Sequence, residues 1–429
     1  RTDLTAGEIA AKVNTSHVLE GSIRQEGDKI RISIQLIDGS RDMHIWSENF
    51  DSELNNTLGI QGEVAMRVAK ILDGVIHENE EKRITKIRTR NPEAYDNYLK
   101  GRFLLHQSTT EQRSDINREG LSSALKYFEK AVAADTNFVE AYAGLAYTWF
   151  NISAWGYLPV KEGFSKAREI CRRILQIDPD CAEAHAVMGA CYIWGERKFE
   201  EGRKELMTAL RLNPNYTPAS QWYAQLLMIT GPLEEARKHM DRTLKMEPYF
   251  WVNHNLNAWI YYFEENYDKA IEACRNAYDL NPDFLETDWL FFLNFAKLEE
   301  GDKALEELIQ IANRSYDTTR FEKEIKIAYD NNGIPGLFQW LIDANLNNPV
   351  PAEGLSGHPF FMAWWHAIMG NIEMSVYWLE KNMVAKNKAY RYFNLIATNP
   401  DFDFLRDNPR FLAIVDQLGL TPYHTKITR

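Results

Sequence analysis

The sequence predicts a mainly α protein: an α-solenoid of stacked helix–turn–helix pairs preceded by a small α+β domain with an antiparallel three-stranded meander. Three observations predict it. Pro214, Pro248 and Pro282 are spaced by 34 residues, and Pro179 precedes the first by 35; repetition at such a period marks a stacked array. Ile30, Ile32, Ile34 and Leu36 alternate with Arg31, Ser33 and Gln35, the two-residue period of a half-buried strand. The chain has 429 residues, beyond the roughly 250–300 that one core sustains.

Taken in order, Thr5–Val13 reads as a short helix, with Thr5 as N-cap and Glu8 three residues on, a capping box. His17–Gln25 is strand-like, and the Glu26-Gly27-Asp28 turn joins it to Ile30–Leu36. Asp38-Gly39-Ser40 turns the chain into a third strand, His44–Phe50. Trp46 and Phe50 read as core of this sheet. Leu54–Leu72 is helical, with Leu58, Val64, Val68 and Leu72 on one face. The charged stretch from Glu78 to Arg90, closed by Asn91-Pro92, reads as a linker. The expected boundaries are 1–76 for the α+β domain, 77–92 for a linker helix, 93–320 for the repeats, and 321–429 for degenerate helical repeats and a C-terminal cap.

Within the repeats each proline follows a helix end: Leu212-Asn213-Pro214, Met246-Glu247-Pro248, Leu280-Asn281-Pro282. Proline cannot continue a helix, and it pushes its predecessor out of helical geometry. A small residue recurs in each second helix at Ala167, Gly202, Ala236 and Ala270. Cys171, Leu206, Met240 and Cys274 follow four residues on, then Ile174, Ala209, Thr243 and Ala277. Small residues let paired helices approach closely while the larger one fills the gap. The first helices carry Ala146/Trp149, Gly189/Tyr192, Ala224/Leu227 and Ala258/Tyr261. An earlier unit fits with Tyr95–Leu105 and Ala124, Phe128 and Ala131, Thr136 standing where the proline would be. A later one fits with Trp289–Phe295, Ala304, Leu308 and Ile311. Asn151–Gly163 is an insertion. After Phe321 the register is lost, although Phe361–Gly370 with Ser375 and Leu379 reads as a degenerate pair.

This pattern resembles the tetratricopeptide repeat. The segments Leu19-Glu20-Gly21-Ser22-Ile23-Arg24, Arg31–Asp38 and His44-Ile45-Trp46-Ser47-Glu48 resemble the second half of the TolB amino-terminal (FlgO-like) domain. Asn91–Tyr95, Tyr98–Arg102 and the closing Phe402–Leu420 stretch resemble the same proteins. The resemblance implies a bacterial signalling protein in which such repeats follow an adenylate cyclase, winged-helix or kinase domain, often with a membrane helix between. The half-domain of that family begins with an earlier strand and helix, so the chain is expected to be a truncated regulatory region. The resemblance also implies that partners bind a concave surface made by the first helix of each pair.

Composition excludes several classes. With 49 basic and 61 acidic side chains the net charge is −12, the wrong sign for nucleic acid. No apolar run approaches the ~18 residues of a membrane helix, so this segment is not expected to insert. Cys171, Cys181, Cys191 and Cys274 form no C-x-x-C, so no structural zinc is expected. They fit small core positions under reducing conditions, which points to the cytoplasm; the resemblance's upstream membrane helix would instead place the segment on the periplasmic side. No Gly-rich phosphate loop and no H-E-x-x-H occur. Gly354–His358 does not satisfy G-x-S-x-G and reads as a polar loop. His358 and His366 have no third ligand in view and read as surface or capping residues. No convergent set of ionisable groups emerges, so the expectation is no enzyme, no catalytic residue, no metal and no cofactor.

What remains is the repeat face. With each proline set as repeat position 32, the inward positions give Tyr147, Phe150, Trp194, Gln221, Gln225, Asn255, Trp259, Tyr262 and Trp289 as partner-binding candidates, beside Ile193 and Met228. An aromatic and amide groove suits an extended or helical peptide. The carboxylate clamp that the resemblance implies for chaperone-binding repeats is absent, because its lysine position holds Ala143, Ala186, Gln221, Asn255 and Trp289. The functional expectation is a non-catalytic protein-interaction scaffold with a peptide or protein partner in the concave groove. The alternative is a small-ligand sensor controlling an attached cyclase or transcription-regulator domain. The meander, lacking a preceding strand, leaves an open edge through which the chain could pair as a homodimer.

Overall fold

The computed structural model describes residues 4–12, 15–27, 29–53, 57–72, 81, 84, 89–110, 114–316, 321–347, 358–384 and 393–424. Two compact units result: residues 1–99 with 130–140, and 100–129 with 141–429. The expected linker helix over 77–92 and the loop before His358 lie largely outside the described residues.

The first unit begins with α1 (Ala6–Lys12), β1 (His17–Glu26), β2 (Lys29–Asp38), β3 (Met43–Glu53) and α2 (Thr57–Ile71). The capping box forms as expected: the Thr5 amide donates to Glu8 Oε2 at 2.8 Å, and the Glu8 amide donates to Thr5 Oγ1 at 3.2 Å. The strands make an antiparallel meander in the order β1-β2-β3. A bulge breaks the alternation. Leu36 pairs with Trp46 but Ile37 pairs with His44, leaving Ile45 extra on β3. A bulge re-aims the side chains around it, and the consecutive Leu36 and Ile37 are both buried. They join Ala6, Ala10, Ile30, Phe50 and Ile60 in a small core. Gly39 is required in the β2–β3 turn, because a Cβ there would lie 2.2 Å from the Ala10 Cβ.

The helices that follow are α3 (Pro92–Thr110), α4 (Ser114–Ala134), α5 (Val139–Ala154), α6 (Val160–Ile177), α7 (Ala182–Cys191), α8 (Phe199–Leu212), α9 (Thr217–Thr230), α10 (Leu233–Met246), α11 (Trp251–Phe263), α12 (Tyr267–Leu280), α13 (Leu285–Lys297) and α14 (Gly301–Tyr316). The repeat positions behave as their spacing requires. Ala167, Ala236, Ala270, Cys171, Leu206, Met240, Cys274, Ile174, Ala209, Thr243 and Ala277 are all buried, and so are Ala124, Phe128, Ala131, Ala304, Leu308 and Ile311. The residues before the prolines leave helical geometry, with φ of −138° at Asn213, −132° at Glu247 and −149° at Asn281. Helices α7 and α8 meet at glycines: a Cβ on Gly202 would lie 2.4 Å from Ile193 Cγ1, and one on Gly189 would lie 2.9 Å from Leu206 Cγ.

Register is lost where the proline spacing ends. Helix α15 (Glu322–Asn347) is broken by non-helical geometry at Asn332 and by Gly333 at φ 57°, ψ −143°, a conformation glycine adopts without strain. Pro335 opens its second half. Then come α16 (Pro359–Ile368), α17 (Ile372–Val384), a 3₁₀ turn (Pro400–Leu405), α18 (Pro409–Gln417) and α19 (Thr421–His424). Ser375 and Leu379 are fully buried, as the degenerate pair α16/α17 demands.

Candidate partner-binding site

The six aromatic candidates fall into two groups on or just after the first helices of successive pairs, and the three amides lie on the same helices. Tyr147 and Phe150 on α5 meet Trp194 and Trp222. Tyr147 stacks on Trp222 at 5.6 Å, while Phe150 lies 4.9 Å from Trp222, 6.0 Å from Trp194 and 5.0 Å from Phe164. Trp194 reaches this cluster from a single π turn, Tyr192–Glu196, that ends α7 with Arg197 at φ 54°. One extra residue in a helical turn re-aims the side chains that follow.

The amides serve the array itself. Gln221 Nε2 donates to Asn253 Oδ1 at 2.5 Å, and Asn255 Nδ2 donates to Thr287 Oγ1 at 3.2 Å. Each bond crosses from one repeat to the next, so these groups are already satisfied. Gln225 is half-buried.

The second group lies deeper. Trp259 donates from Nε1 to Glu286 Oε1 at 2.7 Å and packs 5.7 Å from Trp364. Trp289 stacks on Trp365 at 6.0 Å. Tyr262 is wholly buried and donates its hydroxyl to Asp401 Oδ2 at 2.6 Å.

The expectation of an open groove therefore requires correction. Phe150, Trp194, Gln221, Asn255, Trp259, Tyr262 and Trp289 are all buried, and only Tyr147 and Gln225 keep partial exposure. The cover over the second group and Trp194 is the chain's own C-terminal part. Trp364 and Trp365 of α16 lie on Trp259 and Trp289. Leu395 borders a residual gap of about 20 Å³ with Trp194, Gln225, Met228, Leu256 and Trp259. Arg197 Nε donates to Asn394 Oδ1 at 3.0 Å, and Tyr423 donates to Glu200 Oε1 at 2.7 Å. The physical reason is burial energy. Apolar surface is worth about 25 cal/mol per Å² when removed from water, and a row of indoles is a strong platform for any apolar segment of the same chain.

Asp401 is the centre of this contact. Its carboxylate accepts from Tyr262 Oη and Trp364 Nε1, both at 2.6 Å, and pairs with Lys297 Nζ. Its amide donates to Asn399 Oδ1 at 3.0 Å. A buried carboxylate persists only when paired and hydrogen-bonded, and here three donors meet it. Burial, then the neighbouring Asp401 charge, hold the Tyr262 hydroxyl well above its ordinary pKa, so it stays a donor. The sequence reading missed Lys297, Trp364, Leu395 and Asp401. Lys297 was within reach of it, since counting from Trp289 at position 5 puts Lys297 at inward position 13. The others belong to elements without repeat register.

Nearby, Asp288 is buried beside Trp289 and pairs with Arg314. Burial outweighs that guanidinium and pushes its carboxyl up to about 6. Burial, with Asp288 adding to it, pushes Glu307 up to about 7. The four cysteines are buried thiols, and His358 accepts the Phe360 amide at the start of α16. Among the described residues there is no group of three metal-ligating side chains, and no helix is long and apolar enough to cross a membrane.

Comparison with known proteins agrees with this architecture. The family model described as "Tetratricopeptide repeat" matches residues 254–284, which hold most of α11 and all of α12. The putative adenylate cyclase 3 of Rhizobium meliloti is 26% identical over 194 residues, 44% of this chain and 31% of that protein. The transcriptional regulator HilA of Salmonella typhimurium is 24% identical over 276 residues, 58% of this chain and 47% of that protein. The chain thus spans less than half the length of these relatives. Among solved structures, TTC0263, a thermophilic TPR protein in Thermus thermophilus, covers 48% of this chain and 98% of its own at 18% identity and a TM-score of 0.37. Residues 254–284 are thus a tetratricopeptide repeat, and the 34-residue proline spacing and buried small-residue positions extend the same repeat pattern to its neighbours.

Proposed function

We propose that this chain is a non-catalytic protein-interaction scaffold, the regulatory region of a bacterial signalling protein, and that it binds a peptide or protein partner on its repeat face. The observation that carries the reading is the stacked repeat array itself, whose first helices keep Tyr147 and Gln225 partly exposed where the rest of the row is covered by the chain's own C-terminal part. The two relatives are named as a cyclase and a transcriptional regulator, which supports a repeat region attached to an output domain. The TolB-N/FlgO-like reading of residues 1–76 belongs to the same proposal. So does the cytoplasmic assignment, supported by four buried free thiols. Self-pairing is favoured by β1, where Leu19 and Ile23 are exposed on a strand with one partner.

The test is a displayed library of disordered peptides panned against the full chain. A consensus motif should emerge, and Tyr147→Ser together with Gln225→Lys should weaken its binding at least ~10-fold while the circular dichroism stays unchanged. Failure to enrich any motif, or a motif indifferent to both changes, would remove the reading.

A further inference from the structure

The three donors to Asp401 sit on three different elements: Tyr262 on α11, Lys297 at the end of α13 and Trp364 on α16. None belongs to residues 393–424, the segment that supplies the carboxylate. The anion site is thus built entirely by the rest of the helical unit, and its occupant comes from outside it. One ammonium, one phenol and one indole N–H compensate a single negative charge. Around them stand Trp259, Phe360 and Tyr267, which give the carboxylate an aromatic surround. Phe402, the residue after Asp401, packs on Phe360 at 6.2 Å and is buried.

We propose that this is a binding site for an acidic segment of a partner protein, a carboxylate side chain followed directly by an aromatic one, and that residues 393–424 are a built-in competitor filling it in cis. The inference rests on the reading that the repeat face binds a peptide, and adds the chemistry of that peptide and its control. Two features make the competitor displaceable. Asn394 and Asn399 each bury an Nδ2 with no acceptor among the described residues, and His424 buries an Nδ1 with no partner among them, so docking leaves hydrogen-bonding capacity unmet. A cavity of about 450 Å³ also opens beside Lys297, between α13, the broken turn of α15 and the end of α16. Leu293, Pro335, Phe338 and Met369 line it, which gives an incoming apolar side chain a place next to the ammonium. A free segment must still beat a tethered one, whose effective concentration is of millimolar order; the competitor therefore sets a threshold for the partner.

The experiment uses the full chain, wild type and Asp401→Asn, with a fluorescent synthetic peptide of residues 395–406 and its Asp401→Asn counterpart. In the Asn variant of the chain, an amide N–H₂ replaces one carboxylate oxygen and faces either Lys297 or the Tyr262 and Trp364 donors, so the segment is loosened while its shape is kept. The acid peptide should bind the variant chain at least ~10-fold more tightly than the wild type, and the amide peptide should not bind. Hydrogen exchange of residues 393–424 should rise in the variant while α12 keeps its protection. Absence of peptide binding to the variant overturns the proposal, whether or not exchange rises. If Asp401→Asn does not fold, Phe402→Leu replaces it with the same two readouts, since it weakens the competing segment and leaves the three donors in place. The two readings fail separately: a library that yields no motif beside a bound 395–406 peptide removes only the external partner, and the reverse result removes only this site.

Discussion

Trp364→Ala is expected to lower the stability of the helical unit by about 3–5 kcal/mol, the range for truncating a buried large aromatic. Trp364 is buried, lies 5.7 Å from both Trp259 and Phe360, and donates to Asp401. Its loss would open a cavity between α11 and α16 and remove one donor from a buried carboxylate. Both terms have the same sign. Urea unfolding followed by circular dichroism measures it, and Trp155→Ala is the control. Trp155 is 39% exposed and should cost no more than ~0.5 kcal/mol. Equal effects of the two changes would mean that α16 is not seated on the repeats.

Gly202→Leu is expected to cost about 3 kcal/mol, the upper part of the range for overpacking a tight contact. Its Cβ alone would meet Ile193 Cγ1 at 2.4 Å and the Gly189 carbonyl oxygen at 3.1 Å. The obstacle on one side is backbone, so α7 and α8 must spread rather than repack a side chain. The exposed Met207 on the same helix gives the control, Met207→Leu, which should be near neutral. A Gly202→Leu protein as stable as the wild type would show that the close approach of paired helices is not required here.

The repeat core was legible because proline and small residues are written at fixed intervals by backbone sterics. The proline spacing located the helix ends, and the positions before it located side chains that proved buried without exception. The capping box at Thr5 and Glu8 and the meander's turns were legible for the same reason, being local. The bulge at Leu36 and Ile37 was not, since alternation alone predicts one of the two facing out. The candidate face was half legible. Counting inward positions found Trp259, Tyr262 and Trp289 on the right side of their helices, but a helical wheel carries no information about what lies over that side. The cover comes from α16 and residues 393–424, more than 60 residues away in sequence, where the register that made the rest readable has ended. The amides were misjudged in a related way: Gln221 and Asn255 need partners, and the partners are Asn253 and Thr287 of the next repeat rather than a ligand.

This chain covers its own repeat face with α16 and residues 393–424. The most direct measurement places a benzoylphenylalanine photocrosslinker at Leu395 in the full chain and maps the adducts by mass spectrometry. Crosslinks to Trp194, Met228, Leu256 or Trp259 are the predicted result, since these side chains border Leu395. Crosslinks confined to α16 and α17, with none on Trp194, α9 or α11, would return the aromatic row to solvent.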